Sequence, residues 1–112
     1  MHVTTEKEIY EIVKANHLVV LDIYADWCGP CQNLAPHLDE FVDRYNLTLV
    51  KVDIEKIDCG RKRDKNGEFR NKLLRNFKVK TIPYVRVWFK GEHVYTGDSS
   101  HEKLEEVLKK YV

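Results

Sequence analysis

The chain has 112 residues, 43% of them hydrophobic and 33% charged, with a formal net charge of +1. That size suits one domain with its own core, and the composition excludes a disordered chain. The longest apolar run, Leu18 to Leu21, is far too short to span a bilayer, and a net charge this small names no partner.

The start, "MHVTTEKEIYE", is polar and lacks the basic n-region and apolar h-region of a secretory signal. A strand near His2–Thr4 is conceivable but too short to assign alone. In "KEIYEIVKA", Ile9, Ile12 and Val13 recur at helical spacing, with Thr4 or Thr5 as the N-cap. "LVVLDIYA" is apolar almost without alternation, the habit of a central parallel strand covered on both faces. "CQNLAPHLDEFVDRY" returns to helical spacing through Leu34, Leu38, Phe41, Val42 and Tyr45. Pro36 lies inside it, where a kink is expected because the period resumes beyond. "LTLVKVDI" reads as the next strand.

Residues 55 to 70 have no useful period and hold two glycines, so they read as a long surface loop. From Arg61 to Lys80 there are nine Lys or Arg and two acids, a local +7 that leaves −6 for the rest. One basic edge on an acidic body is expected. "NKLLRNF" reads as a short helix, "YVRVWFK" and "GEHVYTG" as a hairpin, and "HEKLEEVLKKYV" as a closing amphipathic helix capped by Ser99 or Ser100. The early strand–helix alternation and late hairpin imply one mixed sheet of four or five strands with helices on both faces, an α/β fold. Residues 1–112 are expected to form a single domain carrying an extended basic loop at about 55–70.

The chemistry centres on "ADWCGPCQ", where Cys28 and Cys31 flank Gly29 and Pro30. A structural zinc site wants four ligands, and only Cys59 remains, with no histidine pair at ligand spacing. No metal is expected. If Cys28 falls in the first turn of the following helix, its sulfur meets unpaired N–H groups and the positive end of the dipole. Its pKa then drops, and Cys28 becomes a nucleophile. Cys31 sits one turn deeper on the same face, about 5–6 Å away between Cα atoms, within disulfide range. It would be the resolving thiol. A purely structural bridge across so small a loop would add little stability.

Asp22 is a carboxylate within the strand "LVVLDIY". Buried, it would be neutral or partnered and could take and return the Cys31 proton, tuned by Lys51 on the neighbouring strand. At a sheet edge it would simply face solvent. The strand alone leaves both readings open. Pro83 in "KTIPYV" reads by itself as a strand opener.

"ADWCGPC", Asp22, "KTIP" and Thr96–Gly97, in this order along nearly the whole chain, resemble the thioredoxin family. WCGPC is the most specific part. The resemblance implies a thioredoxin fold and a disulfide reductase. Cys28 and Cys31 would cycle between dithiol and disulfide through a mixed disulfide with protein substrates, with no further cofactor. It implies Trp27 beside the thiols, a cis Pro83 facing them, and backbone at Ile82 that pairs with extended substrate. Gly29 and Gly97 would leave a flat apolar surface, and Asp22 and Lys51 would be the buried acid and its lysine. The Gly-Pro spacer resembles that of the reducing members. A separate reductase would recharge the pair. The expected setting is a cytoplasmic monomer away from membranes, consistent with an odd cysteine count that fits no secreted disulfide framework. Two features depart from the family pattern: extra length between Lys51 and Pro83, and Asp98 where a small residue is usual.

Cys59 has two readings. It is a regulatory or dimerising thiol if Arg61, Lys62 and Arg63 lie close, and otherwise an idle surface cysteine; the second is favoured. "RKRDK" could contact nucleic acid, but no aromatic platform accompanies it, and a solvated basic loop is the preferred reading. A dock for an acidic partner lies between. Two function classes follow: a disulfide reductase, or a binding module on the same fold whose basic loop docks an acidic partner.

Overall fold

The computed structural model describes residues 1–112. Its elements are α1 (Glu6–Ala15), β1 (Leu18–Tyr24), α2 (Gly29–Tyr45), β2 (Thr48–Asp53), α3 (Lys72–Asn76), β3 (Tyr84–Phe89), β4 (Glu92–Gly97) and α4 (His101–Leu108). One sheet holds the strands in the order β2-β1-β3-β4. β1 and β2 run parallel across the α2 crossover; β1–β3 and β3–β4 are antiparallel. This is the four-stranded form of the expected mixed sheet. The candidate fifth strand amounts to one bridge from His2 to Lys51.

Strand alternation divides the core. Val19, Leu21 and Ile23 of β1 point into a cluster with Ile9 and Val13 of α1 and Leu73 and Leu74 of α3. Leu18 and Val20 point the other way, into a cluster with Leu34, Leu38 and Phe41 of α2 and Leu104 and Leu108 of α4. The run "LVVLDIY" is apolar on both sides because both sides are covered. By the same alternation Asp22 lies on the α2 side of β1.

Local signals fix the ends. Thr5 caps α1 by accepting from Glu8 N–H, while the Glu8 carboxylate accepts from Thr4 N–H, a reciprocal cap. Ser100 caps α4, accepting from Lys103 N–H. The β3–β4 hairpin turns on Lys90 and Gly91, both with positive φ (51° and 82°). That conformation matches strand twist and favours glycine at the second place. α2 runs unbroken through Pro36 from Gly29 to Tyr45.

Residues 55–70 lie largely exposed at the surface, as a loop would, but along a defined path. A single 3-10 turn (Ile54–Lys56) opens the segment, and an antiparallel bridge joins Arg63 to Phe69. Phe69 is buried in the α1-side core, and Gly60 packs so tightly on Ile54 that a Cβ there would collide with the Ile54 carbonyl. The basic charges stay outside while these two residues tie the segment inward.

Candidate active site

β1 ends at Tyr24, and "ADWCGP" turns the chain into α2. Cys28 is the N-cap, one residue before the helix begins. Pro30 falls in the first turn, where its missing N–H costs nothing and its fixed φ suits the helix. The Cys28 sulfur accepts a hydrogen bond from Cys31 N–H at 3.3 Å. It takes the place of the oxygen that a serine or aspartate cap would offer, so negative charge on this atom is stabilised by a free helical N–H and the dipole behind it.

Cys28 and Cys31 form a disulfide, with Cα atoms 5.2 Å apart. Cys28 is 7% exposed and Cys31 5%, so Cys31 is only marginally the deeper of the two. The Cys28 sulfur lies 3.9 Å from the carbonyl oxygen of Ile82. The Ile82–Pro83 peptide is cis. Space around Gly29 is open; at Gly97 the Tyr95 phenol occupies the position a side chain would take, so the surface there is not bare.

Asp22 sits at 2% exposure in the middle of the sheet, opposite Lys51 on β2 and Val85 on β3. The edge-strand reading is thereby excluded. Its Oδ1 has no hydrogen-bond partner. Burial pushes the carboxyl up to about 6; Lys51 pulls it down and Asp39 of α2 adds to the rise. The Lys51 ammonium stands 5.0 Å over the Tyr24 ring. A cleft of about 170 Å³ is shared by Asp22, Lys51, Cys31, Asp26 and Gln32. The buried acid and the Cys31 sulfur therefore border one space roomy enough to hold water.

Trp27 stands out from the surface, 54% exposed. Its indole N–H donates to Glu55 at 2.9 Å, and the Arg61 guanidinium lies 5.2 Å from the ring centre. Glu55 also pairs with Arg61 at 2.7 Å. Sequence reasoning passed over Glu55, Asp39 and Tyr24. A carboxylate just past the β2 end was the available signal for Glu55; the other two act through partners that only the fold supplies.

Cys59 is exposed, with a positive φ of 52°, and its thiol contacts the Asp58 carboxylate at 3.7 Å. Arg61 and Arg63 are engaged elsewhere, over Trp27 and Phe69. No cluster of three or more His, Cys, Asp or Glu is placed to hold a metal ion.

The family model for thioredoxin matches residues 1–110. The chain belongs to the thioredoxin family. Thioredoxin from Mycoplasmoides gallisepticum is 30% identical over 111 residues, covering 96% of this chain and 98% of that protein. Thioredoxin from Listeria monocytogenes is 35% identical over 107 residues, covering 92% and 91%. The solved structure of Plasmodium falciparum thioredoxin superposes with a TM-score of 0.76 at 26% identity, covering 99% of this chain and 98% of that one. With its cysteine pair in place, this thioredoxin-family chain is a thiol–disulfide oxidoreductase of the protein-disulfide reductase kind.

Proposed function

We propose that the reduced chain cuts disulfides in protein substrates by a two-step exchange. The Cys28 thiolate attacks one sulfur of the substrate disulfide. A Cys28–substrate bond forms, the substrate S–S bond breaks, and the other substrate sulfur leaves as a thiolate. Cys31, having lost its proton, then attacks the Cys28 sulfur. The Cys28–Cys31 bond forms, the mixed disulfide breaks, and the substrate departs as a dithiol carrying two electrons.

The observation that carries this reading is the cap: one sulfur holds a helical N–H in the place of a capping oxygen, and its partner lies three residues along the same face. Asp22 is the group we assign to the Cys31 proton, through water in the cleft they share. A carboxyl poised near 6 is closer to physiological pH than an ordinary one, so it exchanges protons readily there. Lys51 tunes it. We assign Trp27, Gly29, Pro30, Ile82, Pro83 and Gly97 to the surface on which substrate would lie, with Ile82 offering backbone to an extended segment. The disulfide is itself the redox centre, and we assign no other cofactor.

By the family resemblance, the chain is read as a cytoplasmic monomer recycled by a separate reductase. A binding module with incidental redox activity is the weaker reading, because docking alone needs no such sulfur placement. Insulin reduction by dithiothreitol tests the choice: the parent accelerates it strongly and Cys28→Ser does not. Equal rates for the two would remove the reductase reading.

A further inference from the structure

Beside the disulfide lies a pocket of about 300 Å³ lined by Trp27, Ile54, Arg61, Arg63, Phe69 and Ile82. Half of that lining comes from the basic segment that distinguishes this chain from the family pattern. Ile82 belongs at once to this pocket and to the immediate surroundings of the Cys28 sulfur, 3.9 Å from its carbonyl. Whatever fills the pocket therefore lies close to the Cys28 sulfur.

The walls are apolar and the charged groups in them are two guanidinium ions. Arg61 lies over the Trp27 ring and shares Glu55 with the indole N–H. Arg63 is held more firmly. Its guanidinium carbon sits 3.8 Å from the centre of the Phe69 ring, and its nitrogens donate to the carbonyls of Gly67 (2.7 Å) and Lys80 (3.1 Å). Lys80 lies two residues before Ile82, so Arg63 straps the basic segment to the strand opener that faces the disulfide. No carboxylate pairs with Arg63: the ion pairs of this region are Arg61–Glu55, Arg75–Asp64 and Lys80–Glu68. Two cations against one carboxylate leave the pocket with one positive charge unanswered. A guanidinium already fixed by stacking and by two hydrogen bonds loses little freedom when it meets an anion.

We propose that this pocket is a specificity subsite of the reductase and takes an acidic side chain, glutamate by preference, next to the cysteine under attack. The methylene stem lies between Trp27, Phe69 and Ile82, and the carboxylate meets Arg63 and Arg61. The inference rests on the reductase reading and names its substrate class: disulfides flanked by acid. Basic or neutral flanks gain nothing from the arginines, and basic ones are repelled.

The test uses pre-reduced full-length chain in single-turnover reactions. The substrates are disulfide peptides identical except for Glu, Gln or Lys at one place flanking the cysteine, scanned over two places on each side. At the best place the second-order rate constant is expected to follow Glu over Gln over Lys, about fivefold per step at low salt, narrowing as salt rises. Ratios are taken within each variant, so a general loss of rate cancels. Arg61→Glu should reverse the Glu-to-Lys order, and Arg63→Gln should flatten it; if Arg63→Gln disrupts the segment, the reversal in Arg61→Glu stands alone as the test. Equal rates for the three peptides at every place, or an order untouched by Arg61→Glu, would overturn the subsite. Insulin, run in parallel, separates the two levels. Insulin reduced with no charge preference among the peptides sinks only the subsite, whereas no electron transfer to insulin sinks the reductase reading and the subsite with it.

Discussion

Replacing Asp22 with asparagine isolates what it costs to keep a carboxyl at the centre of the sheet. Burial holds this group near 6 in place of its ordinary 3.8. Below the lower value both folded and unfolded chains carry the proton, and there is no contribution. Between the two values the folded chain keeps a proton that the unfolded chain has released, so stability falls as pH rises. Above about 6 the loss is complete, and at about 1.4 kcal/mol for each tenfold difference in proton affinity it amounts to about 3 kcal/mol. Asparagine has the same shape and no charge to ionise. Urea unfolding of the oxidised protein at about pH 4 and about pH 8 reads the effect, with the disulfide intact so that neither Cys28 nor Cys31 titrates, and with Cys59 common to both proteins. The gain of Asp22→Asn over the parent should grow by about 2–3 kcal/mol between those conditions. Any fixed difference between an amide and a neutral acid is common to both pH values and drops out. A gain that is the same at both, or one that shrinks, would refute the burial argument.

Other outcomes follow from the packing and from the order of steps. Cys31→Ser should stall the reaction after the first exchange, so that a Cys28–substrate mixed disulfide accumulates and is seen as an added mass. If no adduct forms, or it forms through Cys59, the assignment of attacker and resolver is wrong. Gly60→Ala should destabilise the fold by about 3 kcal/mol or more, because the new Cβ meets the Ile54 carbonyl, which is backbone and cannot step aside. Gly97→Ala meets only the mobile end of Tyr95 and should cost about 1 kcal/mol or less, both changes being read by thermal unfolding. Cys59→Ser should leave insulin reduction unchanged, since the thiol is exposed and Arg61 and Arg63 are occupied over Trp27 and Phe69.

The parts legible in the sequence were those fixed by neighbours along the chain. A continuous apolar run marked β1, helical spacing marked α1, α2 and α4, and Gly91 marked the hairpin turn. A Gly-Pro pair behind Cys28 put that sulfur at a helix tip. The parts that escaped depend on contacts between distant residues. Whether Asp22 lay mid-sheet or at an edge turned on which strands flank β1, and the run itself does not name its neighbours β2 and β3. The basic segment looked like open loop because its charges dominate the composition. Phe69 in the core, Gly60 against Ile54 and the Arg63 strap to Lys80 give it a defined path, and none of the three follows a period. The pocket beside Trp27 exists only because that path returns to the disulfide.

The proposed exchange depends most on the state of one sulfur at the tip of α2. The direct measurement is the ultraviolet absorbance of thiolate against pH in the reduced protein, made in a Cys59→Ser background. An ionisation step well below the free-cysteine value of about 8.5 is expected, and it should disappear in Cys28→Ser. A first step at or above that value, or one that survives removal of Cys28, would contradict the proposed exchange.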